Sequence, residues 1–150
     1  MVLTGMADAQ EQSFHDAVPV GGRLRLFGAV HRAQDGAPPL KPLKSNYRRW
    51  SNNPWSVVEP EGQPKAGPWD PDDVRRLRLA VREAHDAGLW IRFYTLNGHD
   101  PADTSAGWSP NYNFGSLAAA HERWSAAIRA GVDFVAVDQY EEFAAFAQAL

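Results

Sequence analysis

The chain lacks cysteine, long apolar runs and any large excess of one charge. Without cysteine, its 150 residues cannot form disulfide bonds or thiolate metal sites. No apolar run approaches the roughly 18 residues of a membrane-spanning helix. The net charge of -3 gives no indication of a nucleic-acid partner. The first residues, MVLTGMADAQEQ, have neither the basic nor the apolar region of a signal peptide, so the location of the protein is left open.

Familiar catalytic motifs are absent as well. There is no GxGxxG after a strand and no P-loop sequence, which excludes the usual dinucleotide and nucleotide phosphate sites. The HExxH and GxSxG motifs are also missing. Only His31 and His99 follow strand-like segments, where catalytic residues lie in parallel α/β folds. For both, a non-catalytic role is the simpler interpretation.

Two stretches repeat the same order of an amphipathic helix, a glycine and a strand. They are Pro71–Leu96 and Ser116–Asp138. Each glycine, Gly88 or Gly131, stands where the end of a helix favours a left-handed residue. Asp70 and Ser116 are the predicted N-caps, and a proline follows Asp70 at the first helical position. Two such units in succession predict an α/β fold with a parallel sheet and helices packed outside it.

The chain length and composition predict a single domain over residues 1–150. We expect four parallel strands, neighbours in chain order, near residues 2–4, 24–30, 90–96 and 133–137. A weak helix is predicted over residues 7–17, and a closing helix over EEFAAFAQAL. The strand-like Val2–Thr4 has two interpretations: helix and strand signals are weak at chain ends, or the chain begins inside a larger fold.

Two irregular segments separate these elements. The first, His31–Asp70, contains seven prolines and three tryptophans, and we interpret it as a packed loop with a short helix at Ser45–Trp50. The second is Asn97–Gly115. Both follow the carboxyl end of a predicted strand, so we expect them to meet at one end of the sheet, where such folds build their sites.

The order of these segments resembles a known pattern. Gly88 with Arg92-Phe93-Tyr94, and then Gly131-Val132-Asp133 with Val137-Asp138, resemble the last units of the phosphatidylinositol-specific phospholipase C-like phosphodiesterases. That superfamily includes the glycerophosphodiester phosphodiesterases. Its members more often have threonine where this chain has Val137. VLTG and RLRLFGAV look like strands five and six of the same fold, and SNYRRW looks like the loop that follows.

The resemblance implies a partial TIM-type (β/α)8 barrel containing about four parallel strands, five to eight. The implied activity is hydrolysis of a phosphodiester in a glycerophospholipid-like substrate. The family's acid–base histidines and most of its metal carboxylates lie in strands one to four, which this chain does not match. His31-Arg32-Ala33 mimics the family's HRG opening but stands after strand six. We therefore expect the chain to be inactive alone, with its status as an enzyme open. Ca²⁺ or Mg²⁺ is implied for a complete relative, and no metal ligand is assigned here.

The same resemblance implies residues that would line the rim of the barrel. They are Asn46 and Arg49 from the long loop, Tyr94 and Asn97 at strand seven, and Asp138 at strand eight, beside Tyr94. Their partner would be a small phosphodiester or a lipid head group. For Asp138 two roles stay open: it caps the following helix or braces a loop, or it contacts substrate or metal.

Two other functions remain open from the sequence. The first is a non-catalytic module for a small molecule or sugar, with a cleft lined by aromatic residues of the loops (Trp50, Trp55, Trp69, Trp108 and Tyr112). The second is a half-barrel that closes its sheet with a partner. Open sheet edges also predict self-association.

Overall fold

The computed structural model describes residues 2–3, 27–31, 47–61, 67–100, 102 and 113–150. Three α-helices and five β-strands form in this part of the chain. A 3₁₀ turn, Trp55–Val57, follows the third strand. The elements are β1 (Val2–Leu3), β2 (Phe27–His31), β3 (Arg48–Pro54), α1 (Pro71–Asp86), β4 (Trp90–Tyr94), α2 (Leu117–Ala130), β5 (Phe134–Val135) and α3 (Tyr140–Gln148).

All five strands are parallel, and they lie in the order β1-β2-β3-β4-β5. The predicted α/β fold and the parallel pairing are confirmed. The helix expected over residues 7–17 lies outside the described residues. No helix of the described segments is both long enough and apolar enough to cross a membrane.

The strand β3 corrects two predictions. It lies inside the segment interpreted as a loop, and its first residues occupy part of the helix expected at Ser45–Trp50. Its sequence, RRWSNNP, has two asparagines, which are uncommon in strands. Tertiary pairing overrides this poor local signal, because β3 hydrogen-bonds to β2 on one side and β4 on the other. The predicted strands at 24–30 and 90–96 are therefore separated by a strand that the sequence did not reveal.

The predicted helix ends are confirmed. The Asp70 carboxylate accepts hydrogen bonds from the backbone of Asp72 and Asp73, and the Asp73 side chain accepts one from the Asp70 backbone. The Ser116 hydroxyl accepts a hydrogen bond from the Ala119 backbone at the start of α2. Gly131 ends that helix with φ of 83°. These caps satisfy backbone groups that a helix terminus leaves without intrahelical partners.

One face of the sheet packs against the helices. Ile91 and Phe93 of β4 are buried there, 1% and 0% exposed. Trp124 of α2 is also buried, and its indole N–H donates to the carbonyl oxygen of Leu96 at 2.8 Å. The core cluster also includes residues of α1 and the residues after β3 (Leu77, Ala80, Val81, Ala84, Trp55 and Val58).

The opposite face of the sheet carries a different set of side chains, here called the aromatic face. Successive residues of a strand point to opposite faces, so β3 and β4 contribute alternate residues to it. None of its members belongs to the core cluster on the helix side. The aromatic face consists of Trp50, Asn52, Trp90, Arg92, Tyr94 and Phe134.

Candidate functional site

The carboxyl ends of β3, β4 and β5 form a common edge of the sheet. Directly after β3, the Trp55 backbone N–H donates to the Thr95 hydroxyl oxygen at 3.3 Å, just after β4. Directly after β5, the Ala136 N–H donates to the Phe93 carbonyl oxygen at 2.9 Å. Parallel strands place these ends side by side, which is the usual location of sites in such folds.

The two segments predicted to meet share a contact residue within the described part of the chain. Arg123 of α2 joins them: it binds the carboxylate of Glu59, from the first segment, at 2.5 Å and 3.0 Å. Its guanidinium also lies 5.4 Å from the ring centroid of Phe114, from the second segment. Glu59 and Phe114 are therefore close to each other, as the prediction that the two segments meet requires.

Asn97 and Asp138 form the best-defined polar pair at this edge. The Asn97 amide nitrogen donates to Asp138 Oδ2 at 2.7 Å, and the Asp138 backbone N–H donates to Asn97 Oδ1 at 2.7 Å. Asn97 is 3% exposed, whereas Asp138 is exposed. Two hydrogen bonds therefore fix the position of the carboxylate. Among the described residues, Asp138 Oδ1 has no donor, so this oxygen is available to a ligand.

The predicted capping role of Asp138 takes a different form. The N-cap of α3 is Gln139, which makes no side-chain cap hydrogen bond. Asp138 instead braces the end of β5 against the loop after β4, through Asn97. The neighbouring Gln139 does the same, because its side-chain oxygen accepts a hydrogen bond from the Gly98 backbone at 2.6 Å. Bracing leaves the substrate role of Asp138 open.

A buried asparagine that the sequence did not single out supports this edge. The Asn113 amide donates to the His99 carbonyl oxygen at 2.8 Å and accepts from the His99 N–H at 3.0 Å. Asn113 is 1% exposed, and it forms an isolated parallel bridge with Asn97. Asn113 lies in the irregular segment Asn97–Gly115, and no pattern in that part of the sequence indicates this role.

Thr95 holds a strained backbone conformation at the same edge. Its φ is 70°, in the left-handed region that a β-branched residue rarely adopts. The Thr95 hydroxyl donates to the Tyr94 carbonyl oxygen and accepts from the Trp55 N–H. Such strain persists only where surrounding contacts enforce it, and it is concentrated at functional sites.

The structure brings together only part of the predicted set. Asn97 and Asp138 are in direct contact. Asn46 lies outside the described residues. Arg49 is the second residue of β3, five residues before Pro54 at the carboxyl end of the strand, or about 16 Å away at a rise of about 3.3 Å per residue. Tyr94 lies on the aromatic face, where its neighbour is Arg92.

Arg92 is a residue that the sequence interpretation did not select. Its Nη1 donates to Asn52 Oδ1 at 2.7 Å, and its guanidinium carbon lies 5.7 Å from the Trp50 ring centroid and 5.5 Å from that of Tyr94. Burial lowers the pKa of Arg92, and the electrostatic effect of Tyr94 opposes that shift. The sequence feature that could have identified Arg92 is that it is the single charged residue in the otherwise apolar strand WIRFY.

The aromatic cleft expected from the loops needs correction. Trp55 is fully buried in the core on the helix side, and Trp69 stacks on it with ring centroids 5.9 Å apart. Trp55 is therefore a core residue, and the partly buried Trp69 packs against that core. Trp50 lies on the aromatic face, 5.7 Å from the ring of Phe134. Trp108 and Tyr112 are outside the described residues.

A cavity of about 490 Å³ lies between the residues after β3 and the start of α1. It is large enough for a small ligand, but protein groups already bind three of the carboxylates in its lining. Glu59 binds Arg123, Asp73 binds Arg76, and Asp70 caps α1. No group of three or more His, Asp or Glu side chains within the described segments is arranged to hold a metal ion.

Comparison with known proteins adds no relative to this picture. No protein-family model, curated protein or solved structure matches the chain.

Proposed function

We propose that this chain is part of a phosphoric diester hydrolase of the (β/α)8 barrel type, with a glycerophosphodiester or lipid head group as its substrate. The five parallel strands lie in chain order, and neighbours in chain order are what such a barrel requires. The strand β3 changes the expected count from four to five. The segment would then correspond to strands four to eight, so VLTG would become strand four and RLRLFGAV strand five.

The observation that carries the proposal is the position of the Asp138 carboxylate. Asp138 is an exposed residue at the carboxyl edge of a parallel sheet, its carboxylate is fixed by Asn97, and Oδ1 has no donor among the described residues. An ionised carboxylate accepts hydrogen bonds from hydroxyl groups, so Asp138 would bind a hydroxyl of the glycerol or polyol part of the substrate. Asn97 acts as its positioning residue.

Cleavage of the diester needs an acid and a base in addition to this binding group. The resemblance places those groups in strands one to four, of which only strand four would lie in this chain, and none of the groups is assigned to a residue here. A Ca²⁺ ion takes six to eight oxygen ligands, and the Asn97–Asp138 pair does not fit that requirement by itself. We therefore propose that the chain alone binds the substrate class without turning it over.

Binding selectivity tests this function directly. We expect the chain to bind sn-glycero-3-phosphocholine more tightly than dimethyl phosphate, which has no hydroxyl, in a titration followed by NMR. Asp138→Asn should reduce this selectivity by about tenfold, because a hydrogen bond to a neutral acceptor is weaker than one to a carboxylate by about 1.4 kcal/mol. The melting temperature should change little, since asparagine can still bind Asn97.

The matched control is Asp86→Asn, which removes an exposed carboxylate at the end of α1, away from the sheet edge. This variant should keep the selectivity of the original chain. Equal selectivity of Asp138→Asn and the original chain would remove the basis of the proposal. Turnover of the diester by the chain alone would show that the acid–base groups are present after all.

A binding module without catalysis is the second candidate, and the aromatic face favours it. Trp90 and Phe134 are 45% and 44% exposed, and their ring centroids lie 6.0 Å apart. Exposed rings of this kind bind the apolar faces of sugars. Binding of neutral sugars in preference to glycerophosphodiesters, in the same titration, would favour this function.

A further inference from the structure

We propose that Arg92 is an anion-binding residue, and that its ligand is the phosphoryl group of a small phosphate ester lying against the aromatic face. The phosphoryl identity rests on the proposed function. The anion site itself rests on the surroundings of the half-buried Arg92, which differ sharply from those of Arg123, a fully buried arginine in the same chain.

Arg123 is an arginine whose charge and hydrogen-bond donors are all paired with protein groups. Its Nε and Nη2 bind both oxygens of Glu59, and Nη2 also donates to the Gly67 carbonyl. Its Nη1 donates to the Ala119 carbonyl and to Glu122. The five N–H donors of the guanidinium thus have five acceptor interactions. The charge is paired and its hydrogen-bonding capacity is used.

Arg92 has neither feature within the described part of the chain. Its one hydrogen bond goes from Nη1 to the neutral amide oxygen of Asn52, and no carboxylate pairs with it. Arg92 is half-buried, and even partial removal of a cation from water is unfavourable unless an opposite charge compensates. The guanidinium retains its charge at neutral pH. A bound anion would supply the missing compensation.

The remaining donors have the geometry that an oxyanion needs. With Nη1 bound to Asn52, the edge formed by Nε and Nη2 has no protein acceptor among the described residues. The two N–H groups of that edge are parallel and match the spacing of two oxygens on a phosphate. The rings of Trp50 and Tyr94 flank the guanidinium and limit its movement. Arg92 is therefore held in place with a two-point binding edge available.

The surroundings also indicate the rest of the ligand. Trp90 and Phe134 share the aromatic face with Arg92 and are about half exposed. Their rings offer apolar contact to the organic part of an ester, whereas inorganic phosphate can use only the guanidinium. An ester with an apolar or ring-bearing group should therefore bind more tightly than inorganic phosphate.

Titration of the intact chain tests the site, with inorganic phosphate and phenyl phosphate as probes and calorimetry as the readout. We expect saturable binding of both, with phenyl phosphate the tighter. Arg92→Met should weaken both by more than tenfold. The matched control is Arg78→Met, which removes the same charge from an exposed position on α1 and should leave both affinities unchanged.

A second variant distinguishes loss of the binding site from loss of folding. Arg92→Lys keeps a positive charge and a long stem but loses the paired donors, so it should weaken phosphate binding by about tenfold while its thermal unfolding remains cooperative. The proposal is overturned if either folded variant binds phosphate as tightly as the original chain. It is also overturned if the original chain binds neither probe.

The outcomes separate this inference from the proposed function. If phosphate binding depends on Arg92 while Asp138→Asn leaves the hydroxyl selectivity unchanged, the anion site stands and the phosphodiester function fails. If the selectivity depends on Asp138 while Arg92→Met binds phosphate normally, the function stands and the Arg92 site fails.

Discussion

At the scale of single residues, the buried ion pair of Glu59 and Arg123 joins distant parts of the chain. Both side chains are almost fully buried, and Trp55 donates a further hydrogen bond to Glu59 Oε2 at 3.0 Å. A buried pair of this kind need not stabilise more than an apolar pair would. Its loss on one side is costly, however, because the remaining charge stays in the core without its partner.

Arg123→Met should therefore lower the free energy of unfolding by about 3–5 kcal/mol, since it leaves Glu59 buried and unpaired. The double substitution Glu59→Leu with Arg123→Met should recover a large part of that loss, because no charge then remains. Urea unfolding followed by circular dichroism measures both. A loss below about 1 kcal/mol in the single variant would contradict this interpretation.

At the scale of elements, Asp133, directly before β5, binds to β4 and to the end of α1. Asp133 Oδ2 accepts a hydrogen bond from the Ile91 N–H at 2.8 Å and lies 2.9 Å from His85 Nε2 at the end of α1. The Asp133 backbone also donates to the Ile91 carbonyl oxygen at 3.2 Å. This aspartate is the last residue of Gly131-Val132-Asp133, which the sequence analysis compared with the phosphodiesterases. Its contacts join β5 to β4 and α1, so the role of Asp133 in this structure is structural.

Two glycines, Gly131 at the end of α2 and Gly98 in the segment after β4, are required for different reasons. Gly131 has φ of 83° with nothing within 4 Å of an added methyl carbon, so Gly131→Ala should cost only the backbone strain of about 1–2 kcal/mol. At Gly98 the added carbon would lie 2.5 Å from Ala120 Cβ and closer still to the Ser116 carbonyl oxygen. Gly98→Ala should therefore destabilise more than Gly131→Ala, and thermal unfolding of both variants compares them.

The two glycine variants should also differ at the sheet edge. Gly98→Ala forces α2 away from the loop that holds Asn97, so it should reduce the hydroxyl selectivity proposed for Asp138. Gly131→Ala should leave that selectivity intact. Equal melting temperatures for the two variants would show that the close approach at Gly98 is easily relieved.

At the scale of the whole molecule, the sheet has two terminal strands. Among the described strands, β1 and β5 stand at opposite ends of the order and each has one strand neighbour. Unpaired strand edges are sites for pairing with another chain. Phe134 and Trp90 add exposed apolar area near the β5 edge. These features support the proposal that the chain is a half-barrel that closes its sheet with a partner.

We therefore expect the chain to associate with itself as its concentration rises, as measured by light scattering after size exclusion. Phe134→Lys should reduce this association, because a charge on an edge strand opposes pairing. Leu79→Lys is the matched control, since Leu79 is 39% exposed on α1, away from that edge. A monomer at every concentration, with a cooperative melt, would argue against association through the sheet edge.

Local chemistry in the sequence determined the helix ends and the direction of the sheet. Asp70, Ser116 and Gly131 act on backbone groups within a few residues of themselves, so their roles can be predicted without knowledge of the fold. The repeated helix–glycine–strand order similarly implied parallel strands, because the connections between such strands have one preferred handedness.

Only the tertiary structure decided where β3 lies and which polar groups meet. Asn97 and Asp138 are 41 residues apart, and Glu59 and Arg123 are 64 apart, so no local pattern links either pair. Asn52 and Arg92 become neighbours only through the register between β3 and β4. Long-range pairing of strands overrode the weak local preference of RRWSNNP, and the same pairing placed Arg92 on the aromatic face and Asp138 at the sheet edge.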